Sequence, residues 1–203
     1  MTNRIIRRLI AIRRAGLLQT LRIAKDRLFL KCLGLVFGFD AWHAEAPTSA
    51  RPYREDAARI CNELNPLTVV EVGCGLGEIL SFIQSPHRYG FDIDQGVIKA
   101  ARLLRGRNIE FQVGSCDAVH LDKFDVLILV NWIHEISPES LEACLAPLLP
   151  RIKYLLLDAI DTDGPVGYRF KHNFRFLSDS AKLLSITRPR DEGRSFRLFE
   201  ISK

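Results

Sequence analysis

From residue 68 onward, short dense apolar runs alternate with stretches in which apolar residues recur every three or four positions. The runs at 68–72, 88–92, 109–113, 124–130 and 153–158 are five to seven residues long and read as strands. The stretches at 77–84, 95–104 and 138–148 read as the helices between them. Strand and helix in turn predict parallel strands joined by crossovers, that is, a doubly wound α/β sheet. Phe124-Asp125-Val126-Leu127-Ile128-Leu129-Val130 is almost unbroken in apolar character, as suits a central strand covered on both faces. A helix is expected before the first strand, at about 53–65, where Pro66 ends it. The pattern changes near the end: Leu183–Thr187 and Ser195–Ile201 flank a turn at Asp191-Glu192-Gly193-Arg194 and read as a β-hairpin.

The first 38 residues follow a different pattern. Ile5, Ile6, Leu9, Ile10, Leu17, Leu18, Leu21, Leu28, Phe29 and Leu30 are interleaved with nine cations in residues 1–31, against the single acid Asp26. That stretch carries +8 and the other 172 residues carry −3, which together make the +5 of the whole chain. The basic balance therefore belongs to the arm, and the remainder shows no electrostatic footprint for nucleic acid. A basic amphipathic arm is expected over residues 1–38. It reads either as a membrane-surface or partner-binding element, or as a helix packed on its own protein with its arginines in water. Arginines interrupt every candidate core of a secretory signal, and the apolar stretch Leu28–Phe39 is too short to span a bilayer. An Arg-rich, acid-poor start also fits an organellar transit peptide. Residues 39–203 are expected to form the main domain, entered through a connector, Gly38 to Pro52, that holds Phe39, Trp42 and His43 and leads to Tyr53. These aromatics read as a lid over a ligand or as a dock for the arm.

Composition adds one further constraint. The five cysteines, Cys32, Cys61, Cys74, Cys116 and Cys144, show neither CxxC nor Cys/His ligand spacing, which argues against a disulfide framework or a zinc site and for a reducing, cytoplasmic location.

The chemistry is concentrated where strands end. Val69-Val70-Glu71-Val72-Gly73-Cys74-Gly75-Leu76-Gly77 ends a strand on an acid and opens into three glycines spaced two apart, which suits a tight turn that lets backbone approach a ligand. Asp92 follows about 20 residues past the first glycine, the separation at which an acid can accept hydrogen bonds from ribose hydroxyls. A dinucleotide fingerprint would need glycine where Glu78 stands.

The acid-x-Gly-x-Gly-x-Gly motif, the Phe91-Asp92-Ile93-Asp94 string and the turn Gly114-Ser115-Cys116-Asp117 together resemble the class I S-adenosylmethionine-dependent methyltransferases, over roughly residues 50–203. The resemblance implies a mainly parallel seven-stranded sheet whose last strand runs antiparallel, and S-adenosylmethionine as cofactor. It places the cofactor on Glu71, Gly73, Cys74, Gly75, Gly77, Asp92, Ile93, Ser115, Cys116, Asp117 and Asn131. Ser115 stands where the family usually has an acid and Asp117 follows two places later, so either side chain could meet the adenine amino group.

Methyl transfer requires nucleophile and methyl to be held in line, and a hydroxyl acceptor must also lose a proton. Asn131, at the end of the fourth strand, is placed to orient an acceptor. His134 follows it and is the candidate general base. Asp158, Tyr168, Arg169 and His172 lie at or after the end of the fifth strand, in a long loop suited to substrate binding. The paired acid and Asp-Asn step of metal-dependent relatives is not legible, so no metal is expected. The expected function is methyl transfer to a small-molecule, glycan or lipid-linked acceptor, at oxygen. The alternative is an inactive cofactor-binding subunit that docks through its arm.

Overall fold

A computed structural model describes residues 16–40, 42–43, 47–160, 168–188 and 193–202. Asp191 and Glu192 of the expected hairpin turn, the loop residues 161–167 and arm residues 1–15 lie outside the described residues. The chain divides into two compact units, Met1–Arg51 and Pro52–Lys203.

The first unit is built on helix α1, Leu17–Phe37. Gly38 ends it in the left-handed conformation that glycine adopts without steric cost, its N–H donating to Gly34 O at 2.8 Å. One side of α1 meets the short turn Thr48–Ala50: Gln19 Nε2 donates to Ser49 O at 2.8 Å, and Ser49 Oγ donates to Asp26 Oδ2 at 2.6 Å. Among the connector aromatics, Trp42 lies under the Arg51 guanidinium at 4.7 Å and Phe39 meets His43 edge-on.

The second unit contains α2 (Tyr53–Asn62), β1 (Thr68–Val72), α3 (Glu78–Phe82), β2 (His87–Asp92), α4 (Gln95–Arg105), β3 (Glu110–Val113), β4 (Phe124–Leu129), α5 (Pro138–Leu145), β5 (Ile152–Ile160), β6 (Ala181–Thr187) and β7 (Arg194–Ile201). The strands form one seven-stranded sheet in the order β3-β2-β1-β4-β5-β7-β6. The first five are parallel, and β7 runs antiparallel to both β5 and β6.

Side chains alternate across each strand, so the sheet has a core on either face. Val69, Ile128 and Leu156 pack with Ala57, Ile60 and Cys61 of α2 and Ile98 and Ala101 of α4. Val70, Leu127, Leu129 and Leu155 pack with Leu141 and Leu145 of α5. β4 is buried from Val126 to Leu129, the central position expected of its apolar run.

Two of the crossover helices end earlier than expected. After a 3-10 turn, Trp132–Glu135, α5 starts at Pro138 as expected but ends at Leu145. A residue before proline is held extended, and Ser137 uses that geometry to cap α5 by accepting from Ser140 N. α3 ends at Phe82 because Ile83 is already extended.

Candidate active site

The chain leaves β1 through Gly73, Gly75 and Gly77, all with positive φ. Gly73 N and Cys74 N both donate to Phe91 O, at 2.7 and 2.9 Å, and Gly75 N donates to Asp92 Oδ2 at 2.9 Å. The second Asp92 oxygen accepts from Asp94 N at 3.0 Å, so one buried carboxylate fixes both the glycine turn and the entrance to α4. Gly114 N donates to the Asp92 carbonyl at 2.9 Å and draws the turn after β3 to the same edge.

Around this turn, Ile93 is 78% exposed beside the carboxylate, Ser115 is half-buried and Asp117 is exposed. Two of the glycines also serve the interior. A Cβ on Gly73 would lie 2.0 Å from the Trp132 ring, whose Nε1 donates to Val72 O, and one on Gly77 would lie 2.5 Å from Phe111. One expectation needs correction: Cys116 offers no free thiol, because it is disulfide-bonded to Cys144 of α5 with the Cα atoms 5.7 Å apart. The scattered cysteines therefore include one covalent pair, and Cys32, Cys61 and Cys74 remain as free thiols.

Below the turn lies a buried acid. Glu71 is 3% exposed, and its Oε2 has no hydrogen-bond partner among the described residues. Burial, reinforced by the neighbouring charge of Glu78, holds its pKa well above the usual carboxylate range. Glu78 itself pairs with Arg54 of α2 at 3.0 Å. Burial likewise raises the Cys74 thiol, and lifts that of Cys61 to about 12.

An acid whose native pKa is raised keeps its contribution to stability below its unfolded pKa and loses it as pH rises toward the native value. Glu71→Gln, which carries no charge to desolvate, is therefore expected to stabilise the fold by about 1–2 kcal/mol near pH 8, or roughly 2–8 °C in Tm, with the gain shrinking toward about pH 5. Thermal melts of both proteins across that range measure it. A gain independent of pH would show that Glu71 is ionised in the native state.

The second cluster sits at the ends of β4 and β5. Asp158 is fully buried: its Oδ1 accepts from Asn131 N at 2.8 Å, its Oδ2 pairs with the Arg194 guanidinium, and His134 Nε2 lies 3.3 Å from Oδ2. Arg194 Nη2 also donates to Asn131 Oδ1 at 3.1 Å and to the Tyr168 hydroxyl at 3.0 Å, and its guanidinium lies over the Tyr53 ring at 4.2 Å. Tyr168 in turn donates to Asn131 Oδ1 at 2.9 Å. With Oδ1 used twice, the half-buried Asn131 amide has its NH2 left to donate.

His134 has no exposed surface, and its ring lies 5.0 Å from Tyr168 and 5.7 Å from His172. His172 Nε2 donates to Ile133 O at 2.8 Å. Burial would raise the Asp158 pKa, but the His134 contact and the Arg194 charge outweigh it and hold the carboxyl below its ordinary range. Burial lowers the His172 pKa and raises that of Tyr168, which keeps the ring neutral and the phenol protonated near neutral pH.

Asn131, His134, Asp158, Tyr168 and His172, scattered over 42 positions of sequence, thus converge at one edge of the sheet. Arg169, next in the chain to Tyr168, is exposed. Arg194 was not among the expected site residues, and Tyr53 was expected only as one of the aromatics of a lid or dock. The antiparallel pairing of β7 with β5 sets Arg194 opposite Ile160, so the strand order itself was the signal for Arg194.

Residues 69–153 match the family described as methyltransferase domain. That match and the sheet order assign residues 69–153 to a methyltransferase domain on a Rossmann-like methyltransferase fold. Magnesium protoporphyrin IX methyltransferase from Synechocystis PCC 6803, solved with bound SAH, is 14% identical with a TM-score of 0.60 over 91% of this chain and 100% of that one. Mitomycin 7-O-methyltransferase is 14% identical with a TM-score of 0.61 over 79% of this chain and 56% of that one. TehB from Haemophilus influenzae is 17% identical with a TM-score of 0.58 over 76% of this chain and 63% of that one. At these identities the likeness is one of fold. No curated protein sequence matches the chain.

The first cluster fits S-adenosylmethionine. Glu71 holds an unpartnered buried carboxyl oxygen below the turn, a complement for an ammonium group, and Asp92 stands beside exposed Ile93 at the edge where a ribose and a purine would lie.

Proposed function

We propose that this methyltransferase moves a methyl group to an oxygen atom of a small-molecule, glycan or lipid-linked acceptor. The observation that carries the reading is the Asn131 amide, whose oxygen is held by Tyr168 and Arg194 and whose NH2 is left to donate at the end of β4. A donor so fixed orients a lone pair of an oxygen acceptor without removing its nucleophilicity, and orientation is the main requirement of in-line transfer. S-adenosylmethionine, when bound, supplies an activated methyl on a sulfonium. Asp158 fixes the Asn131 backbone, and Arg194 ties that carboxylate to the Asn131 side chain. A general base must come within about 3 Å of the proton that it takes. With no exposed surface, His134 is read instead as a positioning residue that holds Asp158.

The test is incubation with cofactor labelled in its methyl group and fractionated cell extract. Label in small-molecule, glycan or lipid pools, in an oxygen linkage, supports the reading. Label confined to RNA or protein overturns it, and cofactor binding without any transfer assigns the chain to an inactive binding subunit. Once the acceptor is in hand, Asn131→Ala should lower kcat by about 10²-fold and Tyr168→Phe by about tenfold, with cofactor affinity changing less than kcat.

A further inference from the structure

The outward face of α1 is apolar and cationic at once. At 3.6 residues per turn, Leu17, Leu21, Leu28 and Leu35 fall along one line, with Leu18, Phe29 and Val36 on the line beside it. All seven are exposed, Leu18 at 84% and Leu35 at 88%. A surface this apolar is costly to leave in water. The opposite face carries the polar contacts of the unit: Gln19 and Asp26 both meet Ser49 there. The only acid of residues 1–31 is therefore turned away from the exposed leucines, while exposed Lys25 stands among them and exposed Arg22 and Lys31 flank them.

We propose that α1 docks on an anionic lipid surface, its leucine face in the headgroup boundary and Arg22, Lys25 and Lys31 among the lipid phosphates. Charge decides the occupant. A second copy would bring a like-charged +8 segment against this one, which repels, whereas an anionic bilayer attracts every cation of the face and takes up the leucines as well. No helix of the described residues is long and apolar enough to cross a membrane, so α1 lies along the surface. The inference stands apart from the acceptor and from methyl transfer.

The experiment is cosedimentation of the full chain with vesicles of phosphatidylcholine alone and of phosphatidylcholine with phosphatidylserine, at low and high salt. Binding should be confined to the anionic vesicles and weaken with salt. Arg22→Glu with Lys25→Glu and Lys31→Glu should lower the partition coefficient at least roughly 100-fold. Leu21→Glu with Leu28→Glu and Leu35→Glu should abolish binding. Cofactor affinity, held in the second unit, should be unchanged in both sets, which checks that the protein is still folded. Equal binding to both vesicle types, no binding to either, or binding unaffected by the substitutions overturns the proposal. Concentration-dependent self-association that the leucine substitutions relieve also overturns it and assigns the face to a second copy.

Discussion

Asp158→Ala is expected to cost about 3–5 kcal/mol of folding stability, on the order of 10 °C in Tm, because it removes a buried carboxylate that pairs with the buried Arg194 guanidinium. Arg194 is 6% exposed, and the Asn131 N–H would lose its acceptor as well. Asp158→Ala with Arg194→Met removes both charges and should recover most of that stability while leaving transfer impaired. The effect has a definite pH dependence. An acid whose native pKa is lowered stabilises the fold above its unfolded value of about 4 and ceases to do so as pH falls through the native one, so the two proteins should converge in stability in acid. Chemical denaturation at neutral and acid pH measures this. A constant gap would mean that the pair contributes packing alone.

Asp92→Ala should weaken S-adenosylmethionine binding by roughly 10- to 150-fold, the loss expected when a charged hydrogen-bond acceptor is removed. The carboxylate also holds Gly75 N and Asp94 N, so the substitution loosens the turn as well as removing a ligand. Asp92→Asn retains a side-chain oxygen for Gly75 and separates these contributions: affinity near that of the parent would assign Asp92 to shaping the turn, and affinity near that of Asp92→Ala would assign it to direct contact. Calorimetry reads both. Unchanged affinity in Asp92→Ala would remove this residue from the site.

What was legible in the sequence was local. The alternation of apolar runs and helical stretches fixes β1 to β5 to within one or two residues, because a buried parallel strand leaves an unbroken apolar run and a helix leaves its own period. Glu71, the three glycines, Asp92 and Asn131 were likewise visible, since each sits at a strand end that its neighbours announce. Residues brought in by long-range pairing were not. Arg194 looked like part of a turn until β7 lay against β5, and the pair of Arg54 with Glu78 joins residues 24 apart in sequence. The Cys116–Cys144 bond joins residues 28 apart in sequence with no spacing rule to reveal it. The glycine motif reads as room for a ligand, yet at Gly73 and Gly77 the same space is taken by Trp132 and Phe111.

The pairing of β7 with β5 also sets the order in which the molecule becomes competent. Asp158 and Arg194 are 36 positions apart, and β7 can dock only after β5 has formed the edge that receives it. A chain folded through β5 alone would hold the whole glycine turn and an Asp158 that still accepts from Asn131 N, able to grip cofactor but without Arg194 to hold the Asn131 side chain. The hairpin of β6 and β7 forms one end of the sheet, where local opening requires the least disruption. Each such opening would withdraw Arg194 and disarm the edge without releasing what the first two strands hold, so turnover should fail on heating before cofactor binding does.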